Sequence, residues 1–333
     1  MRSLPLLSIL LSGIGFCSTC VAYHPVDFQS PLEVIAFGSC NRESLSQPLW
    51  PVIASNQPDL WIWCGDNIYG DSKKATVIEA KYRQQFEQSD YAIFRKQFPV
   101  IGTWDDHDYG WNNGNASYPL KKISQKLALD FMEVPADDPR RKRDGIYGAY
   151  DFGPAGQRVK VVLLDNRYFS SSPNAETSQL LGIEQKNWLI KTLRESTAQI
   201  HILVSGTQII AEEHPYEKWA NYPAEREWLI HFIHEAAIPG VLFISGDRHF
   251  HEISVLQTKK NAYPLVDITS SGMTHSWENF KGEPNRHRVG KVFTGLGFGM
   301  LHIDWDQQPV TITAEIRNCS NQVMNTYELH PCQ

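Results

Sequence analysis

The chain has 333 residues, of which 42% are hydrophobic, 20% charged and 11% aromatic; that is enough to bury a large core and too apolar for a disordered or fibrous chain. Its formal net charge of -6 gives no general attraction to nucleic acid or anionic lipid, so neither is expected as a partner. Length alone fits one large α/β domain or two smaller ones.

Met1-Arg2, the apolar residues 4–16 and the small residues up to Ala22 form a signal-peptide pattern. Cleavage after Ala22 is expected to leave residues 23–333 as one exported domain, secreted or periplasmic, with no further segment able to span a bilayer. Of the six cysteines, Cys40, Cys64, Cys319 and Cys332 lie beyond the leader, in a compartment that permits disulfides. Cys319 and Cys332 are a candidate pair, and Cys64, ending LWIWC, reads as a buried strand residue.

Residues 33–37 read as a strand opening into Gly38-Ser39-Cys40-Asn41-Arg42, residues 45–55 as a helix, and residues 59–63 as a strand that breaks into Gly65-Asp66-Asn67-Ile68-Tyr69-Gly70-Asp71. A helix over 75–88 and a strand over 97–101 lead into residues 102–114, GTWDDHDYGWNNG. There Asp105, Asp106, His107 and Asp108 stand between Trp104, Tyr109 and Trp111, with Asn112 and Asn113 just beyond. Crowded carboxylates repel one another and resist leaving water, so the cluster is costly unless a cation neutralises it. A bound metal is one reading; a turn in which Asp and Asn cap a helix is the other.

A helix over 120–132 and a charged surface loop over 134–145 precede strands over 147–152 and 158–164, the second ending in Asp165-Asn166-Arg167-Tyr168. A helix over 184–195 follows, then a strand over 200–204 that ends in Ser205-Gly206-Thr207-Gln208. A helix over 223–236 with Pro223 in its first turn leads to a strand over 241–244 ending in Ser245-Gly246-Asp247-Arg248-His249. The remaining strands, over 253–257, 265–268, 299–304, 310–316 and 323–329, have no long helix between them. The order is α/β first and antiparallel β last, most simply two sheets face to face with helices outside.

Six apolar strands thus end in short polar clusters, and in an open α/β sheet such carboxyl ends face one crevice. Taken as a set, FGSC, GDNIYGD, TWDDHDYG, LDNRYF, SGTQ, SGDRH and SSGMTHSW resemble the alkaline phosphatase D (PhoD-like) family of the metallophosphoesterase superfamily, over nearly the whole mature chain. The resemblance implies a four-layer αββα sandwich of two mixed sheets flanked by helices. It also implies hydrolysis of phosphomonoesters, phosphodiesters or both by a metal-activated water, on a small phosphate-ester substrate.

Residue roles follow from the same resemblance. GDNIY is similar to the Gly-Asp-x-x-Tyr motif of purple acid phosphatases, which makes Asp66 a bridging metal ligand and Tyr69 a phenolate ligand. WDDHD lies where metallophosphoesterases carry Gly-Asn-His-Asp/Glu: Asp106 stands for the Asn ligand, His107 for the phosphate-facing histidine, and Asp108 for the acid that orients it. Asp247 replaces the first His of Gly-His-x-His, His249 retains the second, and Cys40 takes the ligand position after the first strand. Hard oxygen donors suit calcium, and thiolate with phenolate suits a ferric ion; the resemblance implies Fe3+ with Ca2+. Arg167 and Arg42 are candidate phosphate contacts, each equally readable as an ordinary salt bridge. Gln208 is readable as an amide ligand or a strand cap. Asp105 is a ligand or an acceptor behind the ligands, and in an extended segment it would point away from Asp106. Asn113 and Asp165 complete the possible members. His275 and Trp277 are readable as a wall over the site or as packing of the C-terminal sheet. Two rival readings are a non-catalytic metal-stabilised surface protein on the same fold, and a carboxylate-pair glycosidase that leaves Tyr69 and Cys40 without a role.

Overall fold

The computed structural model describes residues 26–173, 178–257 and 263–330; the expected leader over 1–22 and Cys332, the candidate partner of Cys319, lie outside the described residues. In chain order the first half comprises β1 (Val34–Gly38), α1 (Leu49–Ser55), β2 (Leu60–Cys64), α2 (Ala75–Glu87), α3 (Ser89–Gln97), β3 (Val100–Thr103), α4 (Asp106–Tyr109), α5 (Lys121–Phe131), β4 (Gly148–Phe152) and β5 (Val159–Leu163). The second half comprises α6 (Gly182–Arg194), β6 (Ile200–Ser205), α7 (Pro223–Glu235), β7 (Val241–Ser245), β8 (His251–Leu256), β9 (Leu265–Ser270), β10 (Arg288–Phe293), β11 (Gly297–Asp304), β12 (Thr311–Asn318) and β13 (Val323–Leu329).

Two mixed sheets result, one of six strands in the order β13-β12-β11-β1-β2-β3 and one of seven in the order β10-β8-β9-β7-β6-β5-β4. In the first, β1, β2 and β3 are parallel and β11 to β13 extend the sheet antiparallel from β1. In the second, β5, β6, β7 and β9 are parallel, bordered by the antiparallel β4 and β8. With helices on both outer faces, this is the expected four-layer α/β sandwich.

The alternation of strand side chains explains the layers. Leu60, Ile62 and Cys64 of β2 point inward and pack with Phe37, Val161, Leu163, Val204 and Ile244 between the sheets, so Cys64 is a core residue. Trp61 and Trp63, one step out of phase, point outward with Trp50, Tyr91 and Phe94 of the helical layer. Trp50 meets both edge-on, at 5.1 and 5.3 Å between ring centroids, which is the favoured geometry for aromatic quadrupoles. Beneath the second sheet, Leu203 and Phe243 pack with Leu189 of α6 and Leu229 of α7.

Three elements depart from expectation. Residues 89–97 form α3, started by the Gln88 side chain accepting from the Tyr91 N–H at 2.7 Å; β3 is correspondingly shorter and begins at Val100. The edge strand β10 was not expected, and Gly290 interrupts its alternation. Most consequentially, β9 runs parallel to β7, pairing Phe243 with Asp267 and Ser245 with Thr269, because β8 occupies the opposite edge of β9 as its antiparallel partner. A seventh parallel strand therefore opens toward the crevice. Among the described residues no helix is long and apolar enough to cross a membrane.

Candidate metal centre

The parallel strands end along one rim, where β1 delivers Cys40, β2 Asp66, β3 Asp105, β5 Asp165, β6 Gln208, β7 Asp247 and β9 Ser271. The chain turns there through left-handed backbone, with φ of +59° at Cys40, +51° at Asp66, +71° at Asp247 and +56° at His249. Non-glycine residues adopt this region at a cost, and such outliers concentrate at functional sites. Gly65, also left-handed, lets the ends of β2 and β3 close up: a Cβ there would sit 2.5 Å from that of Asp105.

Three overlapping groups of donors result: Cys40, Asp66 and His249; Asp66, Asp106 and His107; and Asp105, Asp106 and Asp247. Within each group the donor atoms all lie within 4.8 Å of one another. Asp66 and Asp106 each belong to two groups. Cys40 Sγ is 3.3 Å from Asp66 Oδ2, and the Tyr69 hydroxyl is 3.1 Å from His249 Nε2. The Ser271 hydroxyl accepts the His249 N–H at 2.7 Å and lies 3.0 Å from Cys40 Sγ.

Electrostatics mark the cluster as short of positive charge. Burial pushes Asp66 and Asp105 well above the usual carboxylate range, and burial with the charges of Asp106 and Glu217 lifts Asp247 to about 6. Burial also raises the Cys40 thiol to about 11. Against burial, Asp66, Asp71 and Asp106 lift His107 to about 10. Among the carboxylates of the three donor groups only Asp106 lies below its ordinary value; burial opposes this, and Arg167 and His107 bring it about. Asp105 Oδ2 is buried without a hydrogen-bond partner. Thiol, phenol and imidazole on one side and carboxylates on the other are donors that metal cations satisfy, so the residues fit a metal cofactor.

The predicted residues divide on inspection. Cys40, Asp66, Tyr69, Asp106, His107, Asp247 and His249 converge. Asp105 joins them, because the chain enters α4 at Asp106 rather than continuing extended, and both side chains reach Asp247. Asp108 does not orient His107. Its Oδ1 accepts the Asp105 N–H at 2.6 Å and its Oδ2 accepts the Asn67 side-chain amide at 2.5 Å, so it caps α4. The acid on His107 is instead Asp71, with Oδ1 at 2.6 Å from Nδ1. The WDDHD stretch therefore combines a helix cap at Asp108 with candidate metal donors at Asp105, Asp106 and His107.

Asp165 is not a ligand either: its oxygens accept the Trp104 indole N–H and the backbone N–H groups of Ile146, Arg167 and Tyr168. Gln208 spends its amide nitrogen on Glu252 and Thr269 at 2.7 and 2.8 Å, while its Oε1 is buried without a partner. Asn113 contributes its backbone N–H to Asp106 Oδ2 at 2.5 Å. Arg167 is buried and ion-paired to Asp105 and Glu217, and Arg42 lies over the Tyr69 ring, 4.4 Å from its centroid.

Four participants escaped the sequence reading in whole or part. The sequence assigns Asp71 and Glu217 no role, Ser271 follows a strand that runs parallel where antiparallel is expected, and His275, readable as a wall or as sheet packing, has Nε2 at 2.9 Å from the Tyr69 hydroxyl. Above the donors opens a cavity of about 810 Å³ lined by His107, Asn113, Tyr216, Glu217, Asp247 and His249, with Trp277 on its wall.

The model of a family described as PhoD-like phosphatase matches residues 35–291. Alkaline phosphatase D of Bacillus subtilis (strain 168) is 25% identical over 270 residues, which cover 66% of this chain and 46% of that protein; the chain thus spans about half the length of this relative. The solved structure of PhoD superposes with a TM-score of 0.73 at 18% identity, over 92% of this chain and 70% of that one. A dimetal phosphatase from Danio rerio gives 0.53 at 12% identity, over 91% and 100% respectively. Both share the fold.

Proposed function

The chain belongs to the PhoD-like phosphatase family, and on that premise we propose that it is a metal-dependent phosphoric ester hydrolase acting on small phosphomonoesters, phosphodiesters or both. The observation that carries this reading is the sharing of Asp66 between two donor groups whose members His107 and His249 line one cavity with Asp106 and Cys40 behind them, the arrangement needed to hold two cations side by side. Cys40, Asp66, Tyr69 and His249 would hold a ferric ion, and Asp66, Asp105, Asp106 and Asp247 the calcium, as the family resemblance implies and the all-oxygen second set favours. When bound, such cations supply Lewis-acid charge to an anionic ester and its nucleophile.

The chain's own groups do the rest. His107, tethered at Nδ1 by Asp71 and facing the cavity, presents Nε2 to the ester, where a proton held against a leaving oxygen speeds departure. Arg42, half-buried on the Tyr69 ring, offers a fixed guanidinium to phosphate oxygens. Residues 23–333 are read as a single catalytic unit that works outside the cytoplasm after removal of residues 1–22. To test the proposal, the mature protein is analysed for bound metals and assayed on mono- and diesters with and without chelator. Ester hydrolysis that requires iron and calcium is expected; hydrolysis that survives complete metal removal overturns the reading.

A further inference from the structure

Arg167 is the only buried cation that the described structure places in direct contact with the acidic cluster, and its three nitrogens are in three different states. Nε lies 2.7 Å from Asp105 Oδ1. Nη1 is held by both oxygens of Glu217, at 2.9 and 3.1 Å. Nη2 is buried, has no hydrogen-bond partner, and lies 3.9 Å from Asp106 Oδ1. A buried guanidinium N–H group without an acceptor is costly, and of the several in this structure the one on Arg167 lies beside the donor groups, where an arriving anion would accept from it.

The two acids differ in their surroundings. The Asp105 side chain is fully buried, whereas that of Glu217 is 20% exposed and lines the cavity. The segment carrying Glu217 is itself fixed by the two residues that follow it. Lys218 Nζ binds Asn221 Oδ1 at 2.7 Å, and Trp219 binds the Gln208 carbonyl through its backbone N–H and the Ser205 hydroxyl through its indole N–H, at 2.9 and 3.0 Å. A planar fork gripped on two edges by acids from rigid segments has one edge left, and it cannot rotate to present another.

We propose that Glu217 is a positioning residue which, with Asp105, clamps Arg167 so that Nη2 is aimed at a phosphoryl oxygen bound beside Asp106. The inference rests on the proposed phosphoesterase reading and deepens it. Arg167 is then the phosphate donor from behind the donor groups, and Glu217 acts only through it. The ligand class is an oxyanion with a tetrahedral centre. An aromatic ring gives Nη2 no conventional acceptor and a neutral sugar only an uncharged hydroxyl, the weaker partner for a guanidinium, which makes the phosphoryl group rather than the leaving group the recognised part.

The test compares Glu217→Ala and Glu217→Gln in the metal-loaded, full-length protein, read by ester hydrolysis and by calorimetric binding of orthophosphate. Bound metal and melting temperature are recorded for each variant. Glu217→Ala frees the fork and is expected to lower kcat/KM about 100-fold, the scale of a misplaced catalytic contact, and to weaken orthophosphate by about 10-fold. Glu217→Gln keeps one acceptor for Nη1 and is expected to recover most of both. Wild-type values in both variants overturn the clamp. Tighter orthophosphate in both also overturns it, because Glu217 would then be a competitor for the guanidinium. Equal losses in both variants overturn it as well, since charge rather than the hydrogen bond would be responsible. A wild-type protein that binds orthophosphate but hydrolyses no ester would sink the enzymatic reading while leaving the clamp measurable by binding alone.

Discussion

Asp71 and His107, 36 residues apart, meet at 2.6 Å between Oδ1 and Nδ1. The contact occupies Nδ1, sets the orientation of the ring and leaves Nε2 as the working nitrogen. Asp71 is also one of the charges that, against burial, hold His107 up at about 10. A histidine acting as proton donor is active below its pKa and fails as pH rises through it. Replacing Asp71 by Asn removes one stabilising charge and lowers that pKa. The alkaline limb of the kcat profile is expected to move to lower pH, with turnover down roughly 10-fold. A profile identical to that of the wild type would show that Asp71 does not govern the ring.

Asp66 and His107 are expected to fail differently. Asp66 donates to two of the donor groups, so Asp66→Ala loses metal and activity together. His107→Ala is expected to keep its metal and lose turnover by roughly 100-fold. Metal analysis beside the assay checks this, and equal metal depletion in both variants would reassign His107 as a ligand.

Removing metal is expected to reverse the pH dependence of stability. In the metal-free chain Asp247 sits at about 6 and Asp108 at about 7, chiefly because burial disfavours their charge, with the charge of Asp106 adding to both. The unfolded chain titrates these acids near ~3.9. The folded state therefore holds more protons than the unfolded one, and stability declines as pH rises from about 4 through about 7. Cations bound among the carboxylates cancel that decline. Thermal melts from about pH 5 to about pH 8 should fall for chelated protein and not for loaded protein; a flat curve after chelation contradicts the charge accounting.

Asp165 separates support from ligation. Its four hydrogen bonds tie β5 to Trp104, Ile146, Arg167 and Tyr168. Asp165→Ala leaves these buried donors unpaired, at an expected cost of roughly 2–4 kcal/mol in denaturant unfolding. The surviving folded fraction should carry full metal; depleted metal in that fraction would restore Asp165 to the ligand set.

The strand ends were legible because each is a local event, an apolar run of four to six residues broken by Gly and acids. The layers were legible for the same reason, since period-two runs force two sheets to share an interior. Strand direction was not: nothing in LVDITS tells whether its neighbour is β7 running parallel or β8 running back. Asp108 misled by being next to His107 in sequence, although the turn of α4 sends its carboxylate to Asn67. Glu217 lies in an irregular stretch that also carries Glu212 and Glu213, and only the position of Arg167 singles it out. The family match itself stops at residue 291, before β11 to β13.

Those last strands bear on how the molecule is made. β1, which carries Cys40, lies between β2 and β11, and Cys40 is held by Ser271, 231 residues later. During synthesis from the N-terminus, β1 has an unpaired edge until residues 297–304 arrive, and an open edge is a hazard for wrong pairing. Such distant pairings also fold slowly. The acidic crevice is accordingly among the last parts of the chain to be completed, so a nascent or truncated chain ending before β11 would have all of the donors and no finished place to hold them.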